Sequence, residues 1–231
     1  MAVLTEEQIK GRYFKEIGGF PPDKIVTEVK DYKGEANLCV ACTQLDYHYS
    51  ERDKKRILAE WIDFFRTYTK ALKALHFNSR VPQKLFDAAC CQENLEELRF
   101  KWGAYSDLSA LEDLTKLKFL YIGSGVGVRD ITSLGKLKNL IVLYIENFKD
   151  IEDYSPLTAL DQLEQLVISG PILGNTPIKD LEFLREMKSL LSIWIPNTTI
   201  MKKYTYKELA NLRISLPNLY DVNDCIWRLD R

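Results

Sequence analysis

One phrase recurs along the chain: an apolar residue, two others, an apolar residue, one other, and a third apolar residue. Its copies are Leu72-Leu75-Phe77, Leu95-Leu98-Phe100, Leu117-Leu120-Ile122, Leu140-Leu143-Ile145, Leu163-Leu166-Ile168 and Leu190-Ile193-Ile195. The copies start 22 to 27 residues apart. Alternation within the second half of the phrase predicts a short strand. A fixed period of this length predicts stacked units, since one such unit cannot bury its leucines alone.

A second pattern lies between the strand phrases. An Asp precedes apolar residues three apart in Asp107-Leu108-Leu111-Leu114, Asp130-Ile131-Leu134-Leu137, Asp153-Tyr154-Leu157-Leu160 and Asp180-Leu181-Leu184-Met187. That spacing predicts a short 3₁₀ or α turn capped by the aspartate. Each unit then reads as strand, bend, short helix and return. The units resemble leucine-rich repeats, and the short period is most similar to the internalin-like and phosphatase-regulator-like subclass. The resemblance covers roughly residues 72 to 224. It implies an α/β solenoid with a concave parallel sheet and short 3₁₀ or α segments on the convex side. By repeat style it implies a bacterial protein. The family's usual Asn or Cys after each strand is replaced by Arg80, Gly103, Gly125, Phe148, Pro171 and Thr198, so these bends are expected to be less regular.

Both ends of such a stack need covers. Ser50 ahead of Glu51-Arg52-Asp53, with Ile57, Leu58, Trp61, Ile62, Phe65 and Tyr68 at helical spacing, predicts an amphipathic helix over 51–69. Thr205-Tyr206-Lys207-Glu208 is a capping box for a helix to about Ser215, with a last strand near 219–225. Residues 1–50 carry weaker signals. Thr5-Glu6-Glu7-Gln8 suits a helix start, and Ile25–Val29 and Leu38–Cys42 suit strands across the Lys33-Gly34 turn. The expected organisation is an α+β cap over 1–50, a capping helix over 51–71, six repeat units over 72–204 and a C-terminal cap over 205–231.

The residue between the second and third apolar positions points out of the sheet. Across the copies it is His76, Arg99, Tyr121, Tyr144, Val167 and Trp194, a ladder of roughly 25 Å at ordinary strand spacing. Flanking outward positions are Glu97, Phe119, Val142, Gln165 and Ser192 on one side, and Lys101, Gly123, Glu146, Ser169 and Pro196 on the other. An apolar centre bordered by polar groups, rich in Tyr, Trp and Arg, is the make-up of a protein-docking surface. The same residues would also suit a face with no partner. Aromatics stabilise a pleated surface without any ligand, and residues 1–50 folding back would hide the face.

Composition narrows the partner. Lys and Arg (32) nearly cancel Asp and Glu (33), so no basic field points to nucleic acid. No apolar run is long enough to cross a bilayer, and the N-terminus lacks a leader pattern, so a cytoplasmic, largely monomeric protein is expected. Five cysteines, two of them adjacent, make a poor disulfide framework.

Chemistry is sparse. Cys39 and Cys42 have the spacing of half a zinc site or a redox pair, yet a closed zinc site wants four ligands. Gly123-Ser124-Gly125-Val126-Gly127 lacks the Lys-Ser/Thr of a phosphate loop. Catalytic residues, cofactors and metals are accordingly not expected. The alternatives are a metal-binding or enzymatic N-terminal region targeted by the repeats, and glycan stacking on the aromatic ladder. The 27-residue unit carries an insertion within 169–177 at the rim of the sheet, where solenoid binding sites are often shaped.

Overall fold

A computed structural model describes residues 24–68, 72–219 and 221–222. The expected helix start at Thr5–Gln8, the expected strand beyond Val222, and Cys225 lie outside them. Among the described residues, one parallel sheet of nine strands runs β1 (Ile25–Val26), β2 (Asn37–Val40), β3 (Ala74–Phe77), β5 (Glu97–Phe100), β7 (Phe119–Ile122), β8 (Val142–Glu146), β9 (Gln165–Ser169), β11 (Ser192–Trp194), β13 (Asp221–Val222). Every repeat phrase forms its strand. Leu75, Leu98, Leu120, Leu143, Leu166 and Ile193 are successive register partners, and all are buried.

Short returns close each unit. Turns of 3₁₀ helix occupy Ser109–Asp113, Thr132–Lys136, Ser155–Ala159 and Glu182–Glu186. Ahead of each, the expected aspartate caps: Asp107, Asp130, Asp153 and Asp180 accept from the backbone N–H two residues on at 2.8 to 2.9 Å. These bonds satisfy orphan donors at the start of the turn. The leucines that follow line the same core as the strands.

The sheet runs unbroken through the expected boundaries at 50–51 and 71–72. β1 pairs β2 in parallel, as β2 pairs β3, so 27–36 is a crossover and not a hairpin around Lys33-Gly34. Helix α1 (Glu51–Thr67) is accordingly the return of one rung between β2 and β3, with two strands beyond it. Ser50 caps it, accepting from Asp53 N–H at 3.1 Å. Its Trp61 indole donates to the Thr27 carbonyl at 2.7 Å, which ties the first crossover to the helix. A column of rings continues through the core: Phe65 against Phe77 (5.7 Å), Phe77 on Phe100 (5.4 Å), and Phe86 of α2 (Gln83–Ala89) against both Phe100 (4.7 Å) and Tyr105 (5.0 Å). At the far end, α3 (Tyr206–Ile214) opens on the expected Thr205–Glu208 capping box, and Leu209 and Leu212 join the core.

The bends after the strands are held by other means than an asparagine ladder. Two short parallel ladders form there, β4 (Val81–Pro82) with β6 (Gly103–Ala104), and β10 (Thr176–Ile178) with β12 (Thr198–Ile200). Aromatic rings also fill spaces that glycines leave. A Cβ on Gly125 would stand 2.0 Å from the Phe148 ring, and one on Gly103 1.9 Å from Tyr105. The insertion projects Ile172 and Leu173 almost wholly into solvent, 90% and 91% exposed.

Along one edge of the sheet Glu96 bonds Lys73 at 2.9 Å and Lys118 at 2.7 Å. Hydrogen bonds from Lys118 and Lys73 hold its carboxyl down at about 2, and Lys202 with Arg185 does the same for Glu182, also about 2. A depressed carboxylate contributes stability in full above its ordinary value near 4.5 and loses it as pH falls through about 2. Both groups are largely solvated, so each network is worth about 1 kcal/mol or less. Stability measured by denaturant melts is expected to hold from neutral pH to about 5 and to fall below it. Glu96→Gln combined with Glu182→Gln should flatten that acid limb, and an unchanged limb would show that these networks contribute nothing.

Candidate functional site

The expected outward row exists as one continuous register. His76, Arg99, Tyr121, Tyr144, Val167 and Trp194 are successive partners across β3, β5, β7, β8, β9 and β11. The row begins one strand earlier than expected, because Cys39 pairs with His76. Leu38 and Val40 match the last two apolar positions of the repeat phrase and would have revealed that strand. The flanking row Glu97, Phe119, Val142, Gln165 and Ser192 is likewise continuous. In the other flank Glu146 pairs with Ser169.

Two chemically different halves result. At one end His76 Nε2 lies 3.0 Å from Glu97 Oε1, and Arg99 Nε donates to the same oxygen at 2.6 Å. All three side chains are buried. The reading of Glu97 and Arg99 as a solvated border is therefore corrected: opposite charges on one strand pair with each other, and of the expected border around them Lys101 is the member left exposed. In the other half Tyr121 and Tyr144 pack with ring centroids 4.6 Å apart, and Tyr121 Oη donates to Glu146 Oε2 at 2.9 Å. Loss of water raises both phenols, Tyr144 to about 12, with the nearby Glu146 charge adding to the shift. Both rings act as neutral donors at any physiological pH.

The face is not open. Val142, Gln165 and Val167 have 0% exposure and Tyr144 5%, while Phe119, Tyr121, Glu146 and Trp194 are half-buried. Sequence alone leaves open whether this face is exposed or covered; its centre is buried from water.

Cys39 and Cys42 are separated by the sheet. Cys42 belongs to the core, whereas Cys39 stands in the outward row beside His76. Burial pushes the thiols up to about 12 and about 11 respectively. Thiols so raised stay protonated and are poor nucleophiles. Among the described residues, no helix is long and apolar enough to cross a membrane.

Comparison with known proteins bears on the fold. Neither the protein-family models nor the curated proteins include a match to this chain. Solved structures do. An internalin C2 of Listeria monocytogenes is 21% identical with a TM-score of 0.52, over 74% of this chain and 70% of that one. A leucine-rich-repeat protein of Leptospira interrogans is 12% identical with a TM-score of 0.54, over 86% of this chain and 52% of that one. A second Listeria internalin, inlF, is 24% identical with a TM-score of 0.47, over 65% and 47%. The chain spans about half the length of the last two. With the register above, the first two likenesses define the class: this is an α/β leucine-rich-repeat solenoid.

Proposed function

We propose that the chain is a non-catalytic interaction module that docks a protein partner on the outer, concave face of its sheet. Tyr121 and Trp194, both half-buried, are the anchoring side chains within reach, with Phe119, Glu146 and Lys101 beside them, while His76, Arg99, Val142, Tyr144, Gln165 and Val167 form the buried floor that holds them in place. The observation that carries this reading is the unbroken register that sets these residues in one row on one face. Large aromatics and arginine are the residue types that dominate binding energy at protein interfaces. A cytoplasmic setting suits the four described cysteines, all of them free thiols. A single chain working as a monomer is the simplest form of such a module.

The test rests on the half-buried members of the row, because Tyr144 is buried and its truncation would also cost stability. Tyr121→Ala with Trp194→Ala is expected to lower recovery of a crosslinked protein partner at least tenfold while far-UV circular dichroism stays that of the parent. Undiminished recovery by the doubly substituted chain would remove this face as the docking site.

A further inference from the structure

We propose that the rim beyond β2, β3 and β5 carries a second contact for the protein partner, a cleft that binds an acidic segment with its carboxylates on Arg80 and Lys101. The proposal gives the chemistry of the partner and rests on the docking reading. Gln44 organises the cleft. Its backbone lies in the left-handed region at φ 54°, which few residues other than glycine adopt. Its side-chain oxygen accepts from the Trp102 indole at 2.9 Å and from the Arg80 N–H at 3.0 Å. Thr43 Oγ1 donates to the Arg80 carbonyl and the Val81 N–H to the Trp102 carbonyl, so three successive bends are tied together. Backbone held in a sparsely populated region by its surroundings is concentrated at ligand clamps. Trp102, fixed by its N–H, stays 41% exposed.

Thr43, Gln44, Arg80, Pro82 and Ala104 line a cleft of about 370 Å³, with room for a leucine-sized side chain. The two cations beside it lack counter-charges. Among the described residues Arg80 makes no ion pair, and Lys101 Nζ reaches Asn78 Oδ1 at 3.3 Å while lying 5.5 Å over the Trp102 ring. The acids that follow these bends are engaged elsewhere: Asp46 accepts from the His48 N–H, Asp87 from Gln83, and Asp107 from the Ser109 N–H. Later on the same rim the pattern is reversed, with Arg129 and Lys149 both against Asp150 at 3.4 and 4.0 Å. Unopposed cations steer and select partners of opposite charge, and Trp and Arg are residue types that dominate interface energies. Pro82 and Ala104 add an apolar floor that a bare inorganic anion would not use, so the segment that fits alternates acidic and aliphatic side chains. Lys101 also borders the docking face, so one partner can span both contacts.

The probe is a fluorescein-labelled peptide of alternating Glu and Leu, titrated by fluorescence anisotropy against the full chain at low salt. Binding should saturate, and should weaken at least tenfold in Arg80→Glu with Lys101→Glu and at least threefold in Trp102→Ala. It should be unchanged in Lys203→Glu with Lys207→Glu, which alters net charge equally at the far end of the solenoid. Gln in place of every Glu of the peptide should abolish it. No saturable binding, undiminished binding by the Arg80 and Lys101 or the Trp102 variant, an equal loss in the Lys203 and Lys207 variant, or undiminished binding of the Gln peptide overturns the proposal. So does displacement by inorganic phosphate as effective as by unlabelled peptide, which would make the cleft a general anion site. Should the charge-reversed chain lose the far-UV circular dichroism of the parent, Arg80→Gln with Lys101→Gln takes its place, with at least a threefold loss expected. Partner recovery lost in Tyr121→Ala with Trp194→Ala, without saturable peptide binding by the parent, would leave the docking reading standing and remove the acidic segment. Peptide binding as expected with undiminished partner recovery would keep the cleft and remove the face.

Discussion

Glu97→Ala is expected to destabilise the protein by about 3–5 kcal/mol, because it breaks a buried ion pair by removing one partner. Glu97 Oε1 serves both His76 and Arg99 from a buried position on β5. Removing the carboxylate takes a buried acceptor from both side chains at once and leaves a cavity beside them. Replacing Glu97 and Arg99 together by methionine should cost much less, since apolar residues of similar volume need no partner. Denaturant midpoints of the two variants measure the contrast. Equal midpoints for Glu97→Ala and the parent would mean that the Arg99 side chain reaches solvent when released.

Gly123→Ala is the second large effect, expected at about 3 kcal/mol or somewhat more. A Cβ at this position would lie 1.9 Å from the Lys101 carbonyl oxygen and 2.7 Å from its carbon, atoms of the neighbouring strand's end that no rotamer change can move. Gly123 N–H also donates to the Phe100 carbonyl at 2.7 Å, and its own carbonyl accepts from Tyr105 Oη at 2.5 Å. The backbone would have to shift at the point where neighbouring rungs meet. Thermal melts would show the loss as a fall of several degrees. A melt like the parent's would mean that the β5 and β7 ends separate freely.

The solenoid was legible because its signals are local. A leucine phrase that repeats, an aspartate before each turn and a capping box at Thr205 each depend on a few residues, and each is found where the pattern places it. The first two strands were less legible as rungs, since Leu38-Val40 lacks the leading leucine and its return is a 17-residue helix in place of a short turn. The bends defeated the motif for a different reason. Phe148 against Gly125 and Tyr105 against Gly103 do by volume what an asparagine ladder does by hydrogen bonds, and volume matching between units has no fixed spacing. In the candidate site, which residues share the outer row follows from strand period alone. Their burial does not, because it depends on what rests on the sheet, and the mutual pairing of Glu97 with Arg99 depends on how two side chains on one face bend toward each other.

The ring column from Trp61 to Tyr105 runs through the amino-terminal rungs, and past it the returns shrink to single turns of five residues. Cohesion is thus unevenly distributed in an object where each layer leans only on the two beside it. The aromatic end behaves as an anchor, the leucine end as a stack that can fray a layer at a time, and loosening of the carboxyl-terminal layers need not disturb the first four.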